Sequence, residues 1–325
     1  MEESAMHVEF TSRTERWTEA EAARSSDLLA RQSQAHRLAR AVEGAGLDRL
    51  LIADNQGLAD NGQLASFVLH NTFNLGVVVS HSAGVLAPQV AAQQFATLDQ
   101  LSGGRLSIRI VAGDTGLDHE ASLARTDEYL VLLKRLWAND KPFDHEGPHY
   151  SLKDAFAGSK PFGRAQIPFI LGGLSGTAIK IAAKHADLFE LPAGTVAEAR
   201  QTISRVRAAA ACHGRSDKIR FSVPVRPVIA GTRAEAWAKA DRLGHDGEAI
   251  RLVGTAEQVA LALLSYCDLG VREFVLHGLD QPHDLATFGR DVAAIVKRSV
   301  ARQESEAPQP EFGEAIYLPF RSRAS

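Results

Sequence analysis

The chain is poor in cysteine and in net charge. Its 325 residues include two cysteines, Cys212 and Cys267, and neither lies in a CxxC pair or beside a cluster of histidines. This excludes a disulfide scaffold and a zinc-finger site. The formal net charge is −3, which argues against a surface for nucleic acid or for an anionic membrane.

Long apolar runs are also missing. No stretch approaches 18 uninterrupted apolar residues, and the first 14 residues lack the basic-then-apolar pattern of a secretion signal. We therefore expect a cytoplasmic protein without a transmembrane segment. Hydrophobic residues nevertheless make up 45% of the chain, which is enough to build a sizeable core.

Short β-rich runs alternate with longer helical patterns along most of the chain. Eight runs rich in Val, Ile or Leu are predicted as strands: 7–10, 47–55, 75–82, 106–113, 168–173, 188–192, 221–230 and 273–278. Most of these runs are continuously apolar, which is typical of a parallel sheet covered on both faces. A doubly wound open sheet would give a similar pattern, and the count of eight favours a (β/α)8 TIM barrel.

The predicted organisation is a single barrel domain over residues 1–301, followed by a tail of residues 302–325. Residues 116–160 are predicted as an insertion, in which His145 and His149 are expected on a surface loop. The tail is rich in Glu, Pro, Arg and Ser, so it is either disordered or a strap over the barrel.

Functional groups of such a barrel lie at the carboxyl ends of its strands. One turn that follows an apolar strand and opens a helix consists of Gly172, Gly173, Leu174, Ser175, Gly176 and Thr177. The glycines would let a ligand approach the backbone, while the hydroxyls and the helix N-terminus would bind an anion such as a phosphate. The alternative is an ordinary tight turn with a serine cap.

Three other polar residues stand on apolar strands. His81 and His277 are either satisfied structural histidines or an acid, a base or a ligand. Arg226 is expected to face an anion or a carboxylate inside the barrel.

No metal site is predicted, because His119 has no second ligand at a regular spacing. Nucleophilic catalysis has no support, because the chain has neither a GxSxG elbow nor a cysteine beside a base.

One block of sequence is specific enough to indicate a family. It reads QVAAQQFATLDQLSGGR over residues 89–105, and a strand ending in Ala112 and Gly113 follows it. This block resembles the bacterial-luciferase-like flavin monooxygenases, and the nearest likeness is to the alkanesulfonate monooxygenase branch. The resemblance covers most of residues 45–296.

The resemblance implies a two-component monooxygenase. Such a barrel takes reduced FMN from a separate NAD(P)H-dependent flavin reductase and uses O2 to oxidise a small organosulfur substrate of the alkanesulfonate kind. A homodimer or homotetramer is expected. Arg226 would bind an anionic group of the substrate or the peroxyflavin, and His81 or His277 would polarise the reacting oxygen.

The resemblance also implies which residues bind the cofactor. The turn of residues 172–177 matches the phosphate position of the family, and Ala112 with Gly113 matches the flavin-side strand end. Ser80 with His81 matches the strand end behind the flavin ring, where the family often has a cis peptide bond.

The chain departs from the alkanesulfonate pattern at several positions. Leu58 and Leu123 replace a Cys and a Tyr, and Arg125 is the candidate to take over the phosphate contact of that Tyr. Pro224 and Arg226 align with an Arg and a His, and only residues 244–251 stand in place of a long mobile loop. Two alternatives follow: an F420-dependent hydride-transfer oxidoreductase of the same fold, and a non-catalytic flavin-binding protein.

Overall fold

The structure is a computed structural model, and it describes residues 7–13, 28–53, 60–111, 119–243, 247–279 and 281–306. The strands are β1 (Glu9–Arg13), β2 (Arg49–Ile52), β3 (Gly76–Ser82), β4 (Leu106–Val111), β5 (Phe143–Glu146), β6 (Ser151–Ala155), β7 (Phe169–Gly172), β8 (Leu188–Glu190), β9 (Arg220–Ile229), β10 (Ile250–Gly254) and β11 (Val271–Leu276). The helices are α1 (Leu28–Gly44), α2 (Asn61–His70), α3 (Pro88–Leu101), α4 (His119–Ala138), α5 (Gly176–His185), α6 (Val196–Ala211), α7 (Arg233–Leu243), α8 (Ala256–Cys267), α9 (Pro282–Phe288) and α10 (Ala294–Glu306). A π-helical turn, Gly289–Ala293, joins α9 to α10.

Eight parallel strands close into a barrel. Their order is β9-β11-β1-β2-β3-β4-β7-β8, and the pairing of β8 with β9 completes the ring. Each of the eight predicted runs overlaps one of these strands, so the (β/α)8 prediction is confirmed. The match arises because continuous Val, Ile and Leu runs suit strands that are buried on both faces.

β10 is a ninth strand of the sheet that the sequence pattern did not indicate. It pairs in parallel with the second half of β9, from Val225 to Ile229, while the first half of β9 pairs with β11. β9 therefore extends beyond the barrel at its carboxyl end and carries β10 on this extension.

The segment predicted as an insertion contains a barrel helix and a hairpin. α4 follows β4 in the helix layer, and β5 pairs with β6 in antiparallel fashion. His145 was expected on a surface loop, but it lies on β5, where Nε2 is 2.9 Å from Glu128 and Nδ1 is 3.2 Å from Arg135. α10 continues to Glu306, and residues 307–325 of the predicted tail lie outside the described part of the chain.

Charged and apolar side chains form layers along the barrel axis. Near the amino-terminal end, Arg49 donates to Glu273 at 3.1 Å and to Glu9 at 2.9 Å, and Thr11 donates to Glu273 at 2.6 Å. An apolar layer follows: Leu51, Val78, Ile170, Leu188 and Val275. Because this layer fills the barrel, a ligand can enter only above it, at the carboxyl-terminal mouth.

None of the described helices combines the length and apolar character needed to cross a membrane.

Candidate active site

A cavity of about 410 Å³ lies at the carboxyl-terminal mouth of the barrel. Most of its wall is apolar and comes from β4, α4, the turn after β7, the end of β8, and β9. Five residues contribute polar side chains to it: Arg109, His119, Ser175, Glu190 and Glu248. An apolar cavity with a few convergent polar groups is the usual form of a cofactor or substrate site.

Arg109 and Glu190 form a bidentate ion pair on the cavity wall. Nε of Arg109 is 2.7 Å and Nη2 is 2.9 Å from the two carboxylate oxygens of Glu190. Burial disfavours the charged form of Glu190, but the charge and hydrogen bonds of Arg109, with the nearby charges of Arg13 and His277, hold its pKa below the ordinary value. Glu190 is therefore ionised at neutral pH.

The loop before β10 is tied to the end of β1. Arg13 Nη1 lies 3.0 Å from Glu248 and 3.3 Å from both ring nitrogens of His277. This contact brings the carboxylate of Glu248 to the cavity wall. His277 is buried and lies at the mouth, at the strand end from which its site role was predicted.

Arg226 lies beside the cavity. It stands on the same face of β9 as Pro224, which is part of the cavity wall. Its guanidinium packs on the backbone of Gly278, where an added Cβ would lie 2.8 Å from Arg226 Nε. The structure thus brings Arg226 and His277 to the same side of the mouth.

The turn of residues 172–177 forms one side of the cavity. Ser175 caps α5 by accepting a hydrogen bond from the Ala178 amide at 3.1 Å, as an ordinary serine cap does. Gly173 has a φ of +123°, and a Cβ there would lie 2.8 Å from the Cβ of Ala178. The turn therefore requires glycine at this position, and the N-terminus of α5 is directed to the cavity side.

Two charged side chains stand beside this turn, and the sequence did not indicate either. Thr177 donates its hydroxyl to the carboxylate of Glu120, in the first turn of α4, at 2.7 Å. Arg205 of α6 lies 3.5 Å from the carbonyl oxygen of Leu174. The amino-terminal end of α5 is therefore flanked by one negative and one positive side chain.

His81 lies on the side of β3 that faces the helices and does not line the cavity, so its predicted role at a reacting oxygen stays a prediction. Its Nε2 lies 2.8 Å from the hydroxyl of Tyr129, and its ring packs edge-on against Phe95. Burial lowers the pKa of His81 to about 4, so the imidazole is neutral at pH 7. It belongs to the core between the barrel and the helices α3 and α4.

The neighbouring Ser80 faces the barrel interior, on the same face of β3 as Val78. Its buried hydroxyl oxygen has no hydrogen-bond partner among the described atoms. The peptide bond between Ser80 and His81 is trans, and no cis peptide bond occurs within the described ranges, so the expected cis bond is absent there.

Arg125 is held away from the cavity. Its Nε donates to the hydroxyl of Tyr150 at 3.2 Å, and its guanidinium packs on Gly84. The predicted phosphate contact has no geometric support, because Arg125 joins α4 to the hairpin and to the turn after β3.

Ala112 and Gly113, the other residues predicted to bind the flavin, lie outside the described residues. No group of His, Cys, Asp and Glu in the described part of the chain is placed to hold a metal ion.

Comparisons with known proteins agree with this architecture. The structure of a long-chain alkane monooxygenase has a TM-score of 0.78 at 17% identity, covering 90% of this chain and 92% of that chain. The EDTA monooxygenase from Chelativorans sp. BNC1 has a TM-score of 0.76 at 18% identity, covering 90% and 94%. The coenzyme F420-dependent tetrahydromethanopterin reductase from Methanopyrus kandleri has a TM-score of 0.74 at 17% identity, covering 90% and 100%.

At these identities the likeness to solved structures shows a shared fold. The family assignment comes from the sequence itself, since the family model of luciferase-like monooxygenases matches residues 6–247. That match spans more than half of the chain, and the predicted family resemblance is confirmed. The protein belongs to the luciferase-like monooxygenase family.

Proposed function

We propose that the protein is a two-component monooxygenase that binds reduced FMN at the barrel mouth and uses O2 to oxidise a small anionic organosulfur substrate. The observation that carries this proposal is the cavity bounded on one side by the N-terminus of α5 and on another by the Arg109–Glu190 pair. An NAD(P)H-dependent flavin reductase would supply the reduced flavin, and the working form would be a homodimer or homotetramer.

The residues at the mouth fit a flavin mononucleotide. The apolar wall suits the flat ring, and the amides of the first turn of α5 suit a phosphate. The buried Ser80 hydroxyl, without a partner among the described atoms, suits a polar group at the strand end behind the ring. Glu120 opposes the fit, because its carboxylate lies on Thr177 at the same helix end.

The bound reduced flavin would supply the electrons that activate O2. The chain's own residues would bind and orient the reactants. The apolar wall would keep water from the reaction, and Ser175 would hold the phosphate turn in place by capping α5. Arg226 and His277 would stand at the substrate side.

Charge at the mouth supports an anionic substrate. Three arginines, Arg13, Arg109 and Arg226, stand there with two carboxylates, Glu190 and Glu248. The sum of these described side chains is one positive charge. These described side chains favour a sulfonate over a cationic substrate.

Anaerobic titration with reduced FMN, oxidised FMN and reduced F420 tests the proposed function. We expect reduced FMN to bind, and oxygen with a sulfonate to release sulfite. Binding of reduced F420 alone would instead favour hydride transfer, the second candidate, which the likeness to an F420-dependent reductase supports. Binding of flavin with no turnover of sulfonates or sulfones would favour a non-catalytic flavin-binding protein.

Replacing Glu120 by Gln is expected to tighten FMN binding about tenfold, because a negative charge beside the phosphate is removed while an oxygen remains for Thr177. Riboflavin, which lacks the phosphate, should bind the variant and the wild type equally. Fluorescence titration with both ligands measures the difference. Glu146→Gln, on the hairpin strand β5, is the matched control and should change neither affinity. Equal tightening for riboflavin would show that Glu120 does not act on the phosphate.

A further inference from the structure

We infer that Arg109 and Glu190 together bind the polar pyrimidinedione edge of the flavin ring, an assignment that rests on the proposed function. This edge presents a carbonyl oxygen, an N3–H donor and a second carbonyl oxygen. An arginine that donates and a carboxylate that accepts complement that pattern. The deazaflavin ring of F420 carries the same edge, so the assignment holds for either cofactor.

The position of the pair on the barrel axis favours contact with a ligand. Leu51, Ile170 and Leu188 belong to the apolar layer of the barrel interior, and the ion pair lies at the mouth, above that layer. The side chain of Arg109 is 32% exposed and that of Glu190 is 21% exposed, and both residues line the cavity. A flat ring entering the mouth therefore meets this pair as it reaches the cavity floor.

The opposite end of the barrel shows what a purely internal ion pair looks like in this protein. The side chain of Glu273 is 1% exposed, and it is satisfied by both Arg49 and Thr11. Neither Arg49 nor Glu273 lines the mouth cavity. A ligand at the mouth can therefore reach the Arg109–Glu190 pair, whereas the apolar layer separates the Arg49–Glu273 pair from the mouth.

The remaining polar groups of the cavity leave the ring edge few other partners. Ser175 uses its side chain to cap α5, and Arg109 is the one arginine among the described residues that line the cavity. His119 is exposed, at the start of α4. The buried polar edge of a ring must be hydrogen-bonded, whereas its dimethylbenzene edge suits the apolar wall.

Glu190 retains the capacity to accept a further hydrogen bond. An ionised carboxylate has about four lone-pair positions, and Arg109 occupies one on each oxygen. The pKa of Glu190 is held below its ordinary value, so it accepts rather than donates at neutral pH. An N3–H group is thus a suitable donor for Glu190, and a methyl group at N3 is not.

The test compares reduced FMN with reduced 3-methyl-FMN, which lacks the N3–H donor. The wild type is expected to bind reduced FMN about 10- to 100-fold more tightly, as for a hydrogen bond to a charged group. In the Arg109→Met/Glu190→Leu double variant the two ligands should bind within about threefold of each other. Replacing both partners with apolar residues avoids leaving a lone buried charge.

The matched control is Lys239→Met/Asp284→Leu, which removes an ion pair between α7 and α9, outside the barrel. It should keep the full discrimination against 3-methyl-FMN. Equal discrimination by the wild type and the Arg109/Glu190 double variant would overturn the inference. A wild type that binds no flavin would instead overturn the proposed function.

A measurement on the wild type alone covers the case in which the double variant does not fold. In nitrogen-15-labelled reduced FMN bound to the protein, the N3 proton should be shifted downfield and protected from exchange with water. An N3 proton that exchanges as it does in free FMN would contradict the hydrogen bond to Glu190.

Discussion

Lowering the pH from 7 to 5 is expected to reduce the free energy of unfolding of the wild type by about 2 kcal/mol more than that of a His81→Gln variant. Burial lowers the pKa of His81 from 6.5 to about 4. Between these values the unfolded chain binds a proton at His81 and the folded protein does not. Stability therefore falls as the pH falls through this window. Gln can still bond the hydroxyl of Tyr129 but does not titrate.

Urea unfolding at several pH values between 7 and 5 measures this difference. Taking the difference between variants cancels other groups that titrate in the window, such as His185, whose pKa burial lowers, and Glu273, whose pKa burial raises. Asp127 loses its contribution only below pH 3.8, because hydrogen bonding to His185 lowers its pKa to about 2. His36→Gln, at an exposed position of α1, should keep the wild-type slope. Parallel slopes for the wild type and His81→Gln would show that His81 is not a buried neutral imidazole.

The position of His81 shows what the sequence rule for barrels does not predict, namely the face of the strand on which a side chain lies. The rule that functional groups lie at strand ends identifies the end of β3, but side chains on a strand alternate between two faces. Ser80 faces the interior, and His81, one residue later, faces the helix layer. A shift of one residue along a strand moves the side chain to the other face of the sheet. An apolar run that is buried on both faces has no alternation of polar and apolar residues that would predict which face each residue occupies.

The block that carries the family resemblance has a structural part that spacing alone could not show. Asp99 is buried and accepts a hydrogen bond from the Phe162 amide at 2.9 Å, besides its ion pair with Arg164. Arg105 donates to the carbonyl oxygens of Leu69 and Leu75. These side chains fix the turn between α3 and β4 to distant segments, so the block identifies the fold more directly than it identifies the chemistry.

The ion pairs at the mouth cannot be predicted from the sequence, because the two partners of each pair are far apart in the chain. Arg109 and Glu190 are 81 residues apart, and Arg13 and Glu248 are 235 residues apart. Arg109 and Glu190 are each the one charged residue of their strands, β4 and β8. A charge in an apolar strand does indicate an internal partner, as was argued for Arg226. Which partner it meets depends on the closure of the barrel, and that closure is long-range.

Gly289→Ala is expected to destabilise the protein by about 3 kcal/mol, the upper end of the usual range for overpacking. Gly289 begins the π-helical turn between α9 and α10, and a Cβ at this position would lie 2.0 Å from the carbonyl oxygen of Ala45. The obstacle is backbone, so no side chain can move aside. The contact joins the carboxyl-terminal helices to the turn between α1 and β2, and the amide of Asp48 at the end of this turn donates to the carbonyl oxygen of Phe10 in β1.

Gly44→Ala provides the matched control, one residue before Ala45. No atom lies within 4 Å of an added Cβ at Gly44, the last residue of α1. Alanine should stabilise the helix there by about 0.5 kcal/mol, because glycine loses more backbone entropy on folding. Urea unfolding of both variants should give shifts of opposite sign. Similar small shifts would mean that the close approach of Gly289 to Ala45 does not hold, since helix propensity alone favours alanine at both positions.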